Sequence, residues 1–370
     1  MQNSNKKDNI LILTQRVDVN DDVLGFMHGW IREFAKYCEM VTVICLQKGE
    51  YELSDNVKVL SLGKPAQGWS ASGREKLWRR IKALVNFFKY IWLERRNYDS
   101  VFVHMNKEYV LLGGLFWKLA GKKIGLWYTH KAVNLKLIIA EKLADVIFTA
   151  SKESFRLPSK KVMVTGHGID INKFSIFNFQ FSNKDSKKFK IITVGRISPI
   201  KDYETLIKAI EILAKDGVEL RVDIIGGPGT PEQEKYLADL KEMAREKKLD
   251  GIINFIGAVS HKDIVQYYNN ADLSVNLCPT GGMDKAVLES MACGVPVVVF
   301  NKTFVDVLGD YKDDLILANK SETELAEKIK KIINLPKEKK ENMQKDLRDV
   351  VVKNHSLDNL ISKIVSELNK

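Results

Sequence analysis

Two cations, Arg196 and Lys201, stand five residues apart, just past the apolar run at 190–194 and ahead of an amphipathic helical stretch. A guanidinium fork and an ammonium converging on a helix N-terminus add their charge to unpaired backbone amides, which makes a site for an anion such as a phosphate. The next apolar run ends in "GGPGTPEQE" from Gly226, where Gly226 and Gly227 allow a ligand close to the backbone. Further on, Gly281 and Gly282 open the stretch "TGGMDKAVLESMACGVPVVV", which carries a lone carboxylate at Glu289 among Ala286, Val287, Met291 and Ala292. A carboxylate is tolerated near a helix start because the dipole there is positive, and the same dipole attracts an anionic ligand. Each of these residues also has a plain reading, as a solvated surface base or a helix-start acid.

Residues of this kind need elements to hold them. Short β-branched runs alternate with helical patterns along the whole chain, which predicts βαβ units and mainly parallel sheets. The first half offers strands at 10–14, 41–46, 57–62, 100–104, 124–129, 146–150 and 162–165. The second offers strands at 190–194, 221–225, 252–256, 273–276 and 296–300. The spacing divides the chain into an N-terminal domain at 1–170, a polar connection at 171–188, a second domain at 189–354 and a C-terminal helix at 355–370, with a return of that helix to the first domain left open. Two doubly wound domains in tandem leave a cleft at the carboxyl ends of their strands, where ligands of such folds bind. The singled-out residues all fall just after strands.

Bulk properties narrow the classes. At 370 residues, with 45% hydrophobic and 28% charged residues, two soluble domains are expected. The N-terminus is polar, and no run approaches the roughly 18 apolar residues of a membrane span, so a cytoplasmic protein is expected. Cys38, Cys45, Cys278 and Cys293 show no metal-binding spacing, and no Asp-x-Asp triplet occurs, so no metal site and no cofactor are expected. The net charge of +11 is concentrated in residues 1–170, which hold 27 Lys and Arg against 17 Asp and Glu. That points to an anionic surface or ligand on that side; no nucleic-acid recognition motif accompanies the charge.

The blocks "VTGHGIDINKF", "VGRISPIKDYETLIKAI", "IINFIGAVSHKDIVQYYNNADLSVNLCP" and "AVLESMACGVPVVV", taken in order, resemble those of the family-4 retaining glycosyltransferases of the GT-B fold. The resemblance is dense from about residue 160 to 310 and thinner before that. It implies two Rossmann-like doubly wound domains facing across a cleft, and transfer of a sugar from a nucleotide-diphosphate sugar without a metal. Arg196 and Lys201 match the pair that holds the donor diphosphate and neutralises the leaving nucleotide. Glu289 matches the second acid of the E-x7-E motif, which accepts the ribose hydroxyls. The first acid, which contacts the donor sugar, is replaced by Gly281, and the usual Phe-Gly is Met283-Asp284, followed by Lys285. Asp284 and Lys285 are therefore the candidates for part of the sugar recognition, with Gly226, Gly227 and Gly282 completing the donor side.

On the acceptor side, Asp22 and Gly25 fall where the family's glycine-containing loop opens a helix, Asp22 reading equally as that helix's N-cap. His130, at the end of "GLWYTH", stands at the place of a family histidine near donor sugar and acceptor, and is carried as a catalytic candidate. His104, ending "VFVH", is a second candidate of the same kind. Residues 73–97 carry eight Lys or Arg against two acids, interleaved with Trp78, Leu84, Phe87, Phe88, Ile91 and Trp92. Such a helix suits an anionic membrane interface, or packs its apolar face on the sheet. The expected partners are a nucleotide sugar and a glycan or lipid-linked acceptor, with peripheral contact at the inner face of the cell membrane, in cell-surface polysaccharide synthesis. The alternatives are a nucleotide-sugar-binding protein with little turnover, suggested by Gly281, and a GT-B-fold sugar-nucleotide epimerase, whose block arrangement differs.

Overall fold

The computed structural model describes residues 8–64, 73–175, 188–279 and 282–370; Gly281 and most of the expected connection lie outside them. The chain divides into two compact units, one of Met1–Gly168, Ser260–Lys262 and Leu357–Lys370, the other of Ile169–Val259 and Asp263–Ser356.

The first unit is built on seven parallel strands: β1 (Ile10–Val17), β2 (Val41–Lys48), β3 (Val57–Ser61), β4 (Ser100–His104), β5 (Lys123–Trp127), β6 (Val146–Thr149) and β7 (Val162–Val164). Their order is β3-β2-β1-β4-β5-β6-β7, so the winding reverses between β1 and β4. Leu11 pairs with Thr42 on one side and Val101 on the other. Successive side chains of a strand point to opposite faces, so Ile10 and Ile12 enter one core while Leu11 and Leu13 enter another. Both faces being covered explains why β1 reads as an unbroken apolar run rather than an alternating one.

The first of those cores is completed from the far end of the sequence. The helix Leu357–Leu368 buries Leu360, Ile361, Ile364 and Leu368 among Trp30, Phe34, Phe102 and Phe148. Gly125 leaves room for it, since a Cβ there would come within 3.1 Å of Leu368 Cδ2 and 2.8 Å of Phe148 Cε2. The Lys123 ammonium donates to the Glu367 carbonyl at 2.8 Å. On the opposite face lies the helix Gly73–Leu93, which buries only Phe87 and Ile91. No helix among the described residues is long and apolar enough to cross a membrane.

The second unit has five parallel strands: β8 (Phe189–Val194), β9 (Leu220–Ile225), β10 (Ile253–Gly257), β11 (Leu273–Asn276) and β12 (Val297–Val299). The order β10-β9-β8-β11-β12 places the reversal between β8 and β11, with Ile191 paired to Val222 on one side and Leu273 on the other. In doubly wound sheets a reversal of this kind opens a crevice at the carboxyl ends of the two central strands. The segments that follow β8 and β11 carry Arg196, Lys201 and Asp284.

Candidate functional site

Lys201 closes a single 3-10 turn, Pro199–Lys201, directly ahead of the helix Tyr203–Lys215. Its side chain runs back beneath Gly195, where a Cβ would come within 3.1 Å of Lys201 Cε. Its ammonium is ion-paired with the Asp284 carboxylate, both side chains being half-buried. Asp284 Oδ2 also accepts from Asn276 Nδ2 at 2.9 Å, and Oδ1 accepts from the Ala286 amide at 3.3 Å. Asp284 is thus the N-cap of the helix Lys285–Ala292, and it joins the end of β11 to the turn after β8. Burial works to lower Lys201, but the Asp284 carboxylate outweighs it and holds the ammonium above the ordinary lysine range. Burial likewise works to raise the Asp284 carboxyl, and Lys201, Asn276 and the Ala286 amide together hold it below the ordinary range. Mutual stabilisation of the two charges accounts for both directions.

Arg196 follows Gly195 at the end of β8 and is exposed. Its aliphatic part lies over the turn after β9, with Cδ 3.5 Å from where a Cβ on Gly229 would sit. In that turn Gly226 donates to the Gly257 carbonyl at 2.8 Å, and the Gly227 carbonyl accepts from the Ile197 amide at 3.1 Å. Gly226, at φ +147°, leaves no space for a side chain: a Cβ would fall 1.9 Å from the Gly195 carbonyl oxygen. Gly282 is fixed differently, its carbonyl accepting from Asn301 Nδ2 at 3.2 Å.

Glu289 lies in the second turn of its helix and is buried at 5% exposure. The fully buried Tyr268 places its hydroxyl 3.2 Å from the Ala286 carbonyl and 3.5 Å from Glu289 Oε2. Burial, then the Glu289 charge, push the Tyr268 phenol far above its ordinary value, which keeps it a proton donor. One helical turn before Glu289, burial pushes half-buried Lys285 down to about 8; Glu289 and Asp170 oppose that fall and Lys173 adds to it. Glu289 is thus a buried carboxylate with the Tyr268 hydroxyl against it and Lys285 four residues earlier on its own helix. Asn276, Tyr268, Asp170 and Lys173 belong to this neighbourhood too, and nothing in the sequence singled them out.

In the first unit the candidates are scattered in role. The helix there begins at Phe26 and its cap is Gly25, so Asp22 does not cap it. Asp21 does the local work instead, accepting from the Val23 and Leu24 amides at 2.9 and 2.5 Å and pairing with Arg16, while Asp22 faces solvent. A glycine is required at 25 because a Cβ would meet the Asp21 carbonyl at 2.4 Å. His104 is buried at 4% exposure, edge-on to Phe26 and Trp30 with both ring centroids 5.6 Å away. His130 is exposed and lies beyond β5, which ends at Trp127 rather than 129 because its ladder to β6 closes at the Trp127–Phe148 pair. Its Nδ1 accepts from the Ala132 amide at 3.0 Å.

Tandem Rossmann-like α/β units, each with its candidate residues at the carboxyl ends of parallel strands, define the class of the fold. The solved structure of Anabaena HepE in complex with UDP and glucose superposes with a TM-score of 0.74 at 17% identity, covering 98% of this chain and 100% of that one. At that identity the likeness shows the fold, which is of the GT-B type. Residues 175–350 match the family model described as Glycosyl transferases group 1. Among curated relatives, mannosylfructose-phosphate synthase of Agrobacterium fabrum is 29% identical over 154 residues, 40% of this chain and 34% of that protein. The capsular polysaccharide biosynthesis glycosyltransferase CapM of Staphylococcus aureus is 26% identical over 208 residues, 54% of this chain and 52% of that protein. The chain therefore spans between a third and about half of the length of these relatives.

Proposed function

We propose that the chain is a retaining, metal-independent glycosyltransferase of the family-4 type, which moves a sugar from a nucleotide-diphosphate sugar to a glycan or glycolipid acceptor in cell-surface polysaccharide synthesis. The observation that carries this reading is the set of charges at the β8–β11 reversal: exposed Arg196 over a glycine turn, and Lys201 ion-paired with Asp284, which Asn276 holds. Departure of a nucleoside diphosphate builds negative charge, and cations already oriented at that point lower the barrier without further reorganisation. Glu289 accepts the ribose hydroxyls, Lys285 faces the phosphate or sugar side, and His130 offers a hydrogen bond to the sugar. The match to the group 1 family model and the resemblance to CapM support the pathway assignment. Contact of residues 73–97 with an anionic membrane surface belongs to the same reading.

The test is donor turnover over a panel of nucleotide sugars in excess chelator. Arg196→Ala and Lys201→Ala are each expected to lower it by about two orders of magnitude. Wild-type rates in both variants, or a requirement for Mg²⁺ or Mn²⁺, would overturn the assignment. One observation favours a second reading, a nucleotide-sugar binder with little turnover: the Asp284 carboxylate already neutralises Lys201. Saturable nucleotide binding without donor cleavage would select it.

A further inference from the structure

On the face of the first unit away from the C-terminal helix, a pocket of about 270 Å³ opens between the helix Gly73–Leu93 and the sheet. Its floor is apolar, formed by Leu46, Leu62, Ala83 and Phe87, with Leu112 from the helix Lys107–Leu119 as one wall. Lys64, Arg79 and Arg80 line the same pocket from the solvent side; Arg79 is also paired with Glu75. The volume is nearly twice the roughly 150 Å³ of a cavity that takes up a benzene ring. An apolar floor of this kind offers nothing to a sugar ring, and three cations at its edge repel a cationic headgroup.

The placement matters as much as the lining. Leu46 lies near the carboxyl end of β2, Leu62 to Lys64 follow β3, and Tyr109, another lining residue, follows β4. All the strands are parallel, so the pocket opens at the end of the sheet that also carries Asp21, Gly25, His104 and His130. The two helices that line it also carry exposed apolar side chains: Trp78, Trp92, Leu115 and Leu119 are 70%, 56%, 64% and 82% exposed. Trp92 and Phe116 link the two helices at a ring separation of 6.0 Å, and the Arg95 guanidinium lies 4.2 Å above the Trp92 ring. Exposed aromatics and leucines interleaved with arginines suit the boundary between lipid headgroups and hydrocarbon, where basic side chains keep their charge at the phosphates and their stems on the apolar surface.

We propose that this pocket binds the hydrocarbon chain of a lipid phosphate, with its phosphate on Lys64, Arg79 and Arg80. In an enzyme that glycosylates a lipid-linked acceptor, it is the subsite for the acceptor's lipid; only that naming of the ligand as acceptor rests on the function proposed above. Specificity then comes from the combination of one chain and one anion rather than from either alone. A hydrocarbon without the phosphate loses the cations, and a phosphate without the hydrocarbon loses the floor.

The experiment is calorimetric titration of the full chain with decyl phosphate below its micelle concentration, with decanol and glycerol phosphate as the separated halves. Saturable one-site binding is expected for decyl phosphate, at least tenfold tighter than for either half. Ala83→Trp should fill the pocket and weaken decyl phosphate at least tenfold. Leu112→Trp should do so from the opposite wall, which keeps the test decisive if one variant folds poorly. The double variant Arg79→Gln, Arg80→Gln should weaken decyl phosphate about tenfold and leave decanol unchanged. Absence of saturation, wild-type binding in both tryptophan variants, or equal affinity for decanol and decyl phosphate would overturn the proposal. So would a dimer that the tryptophan substitutions dissociate, which would assign the pocket to a second copy of the chain. No nucleotide sugar is present in these titrations, so their failure is distinct from failure of the donor assay.

Discussion

The ammonium of Lys201 and the carboxylate of Asp284, 83 residues apart in the chain, form an ion pair at the carboxyl ends of β8 and β11. The pair holds the cation in place and at the same time lowers its free charge. Asp284→Asn separates the two effects. It keeps the shape of the side chain and the Ala286 cap contact, gives up the contact with Asn276 because an amide has one acceptor oxygen in place of two, and removes the counter-charge. Nucleoside diphosphate should then bind several-fold tighter while turnover falls, because the Lys201 ammonium loses its counter-charge and its fixed position. Weaker nucleotide binding in the variant would show that Asp284 itself touches the ligand. The pair also sets a pH profile. The folded Asp284 pKa is lowered, so its contribution is present above the ordinary carboxylate value of about 3.9 and lost as pH falls through the lowered one. The folded Lys201 pKa is raised, so its contribution is present below about 10.4 and lost as pH rises through the raised one. Denaturant midpoints measured across pH should show both limbs shrinking in Asp284→Asn.

Lys285 carries the opposite sign. Its folded pKa, pushed down to about 8 from 10.5 by burial, lies below that of the unfolded chain. The cost of burying the ammonium is therefore fully present below pH 8 and is relieved as pH rises towards 10.5. Lys285→Met should raise the melting temperature at pH 7 by about 2–4 °C, with the gain fading at alkaline pH. If this ammonium meets the donor, wild-type nucleotide affinity is flat below pH 8 and declines above it, while the Met variant is weaker and flat. A pH-independent wild type would remove Lys285 from the donor site.

Gly226 and Gly227 make a paired test of the turn after β9. At Gly226 a Cβ would meet the backbone carbonyl of Gly195 at 1.9 Å, and φ is +147°. At Gly227 the nearest atom is the Ala258 side chain, at 3.3 Å. Gly226→Ala should cost about 2 kcal/mol or more in unfolding free energy, since backbone gives way less easily than a side chain and the conformation itself is strained. Gly227→Ala should cost less than about 1 kcal/mol, within the range of surface substitutions. Equal midpoints for the two variants would mean that the turn relaxes freely.

The strand plan was legible because the central β-branched runs are buried on both faces and bounded by turn residues: the runs at 100–104 and 273–276 are the strands β4 and β11 to the residue. The Lys201–Asp284 pair was not legible, because nothing local connects a lysine after one strand with an aspartate eight residues beyond another; only the order of strands in the sheet does. Asp22 misled for the reverse reason. Two adjacent aspartates are equal as sequence, and only the course of the chain decides that Asp21 turns inward to the amides of Val23 and Leu24. Glu289 was placed near a helix start, but its enclosure by Tyr268 and Lys285 required tertiary packing to become visible.

The helix Leu357–Leu368 gives the molecule an order of assembly. The sheet of the first unit is encoded in the first 164 residues, yet one of its two cores stays open until Leu360, Ile361, Ile364 and Leu368 arrive. During synthesis, the second unit has all of its strands and helices available before that happens. A nascent chain therefore exposes Trp30, Phe34 and Phe148 for the whole time the second unit is being made, a stage at which uncovered apolar surface invites misassembly. The first domain begun is the last one finished.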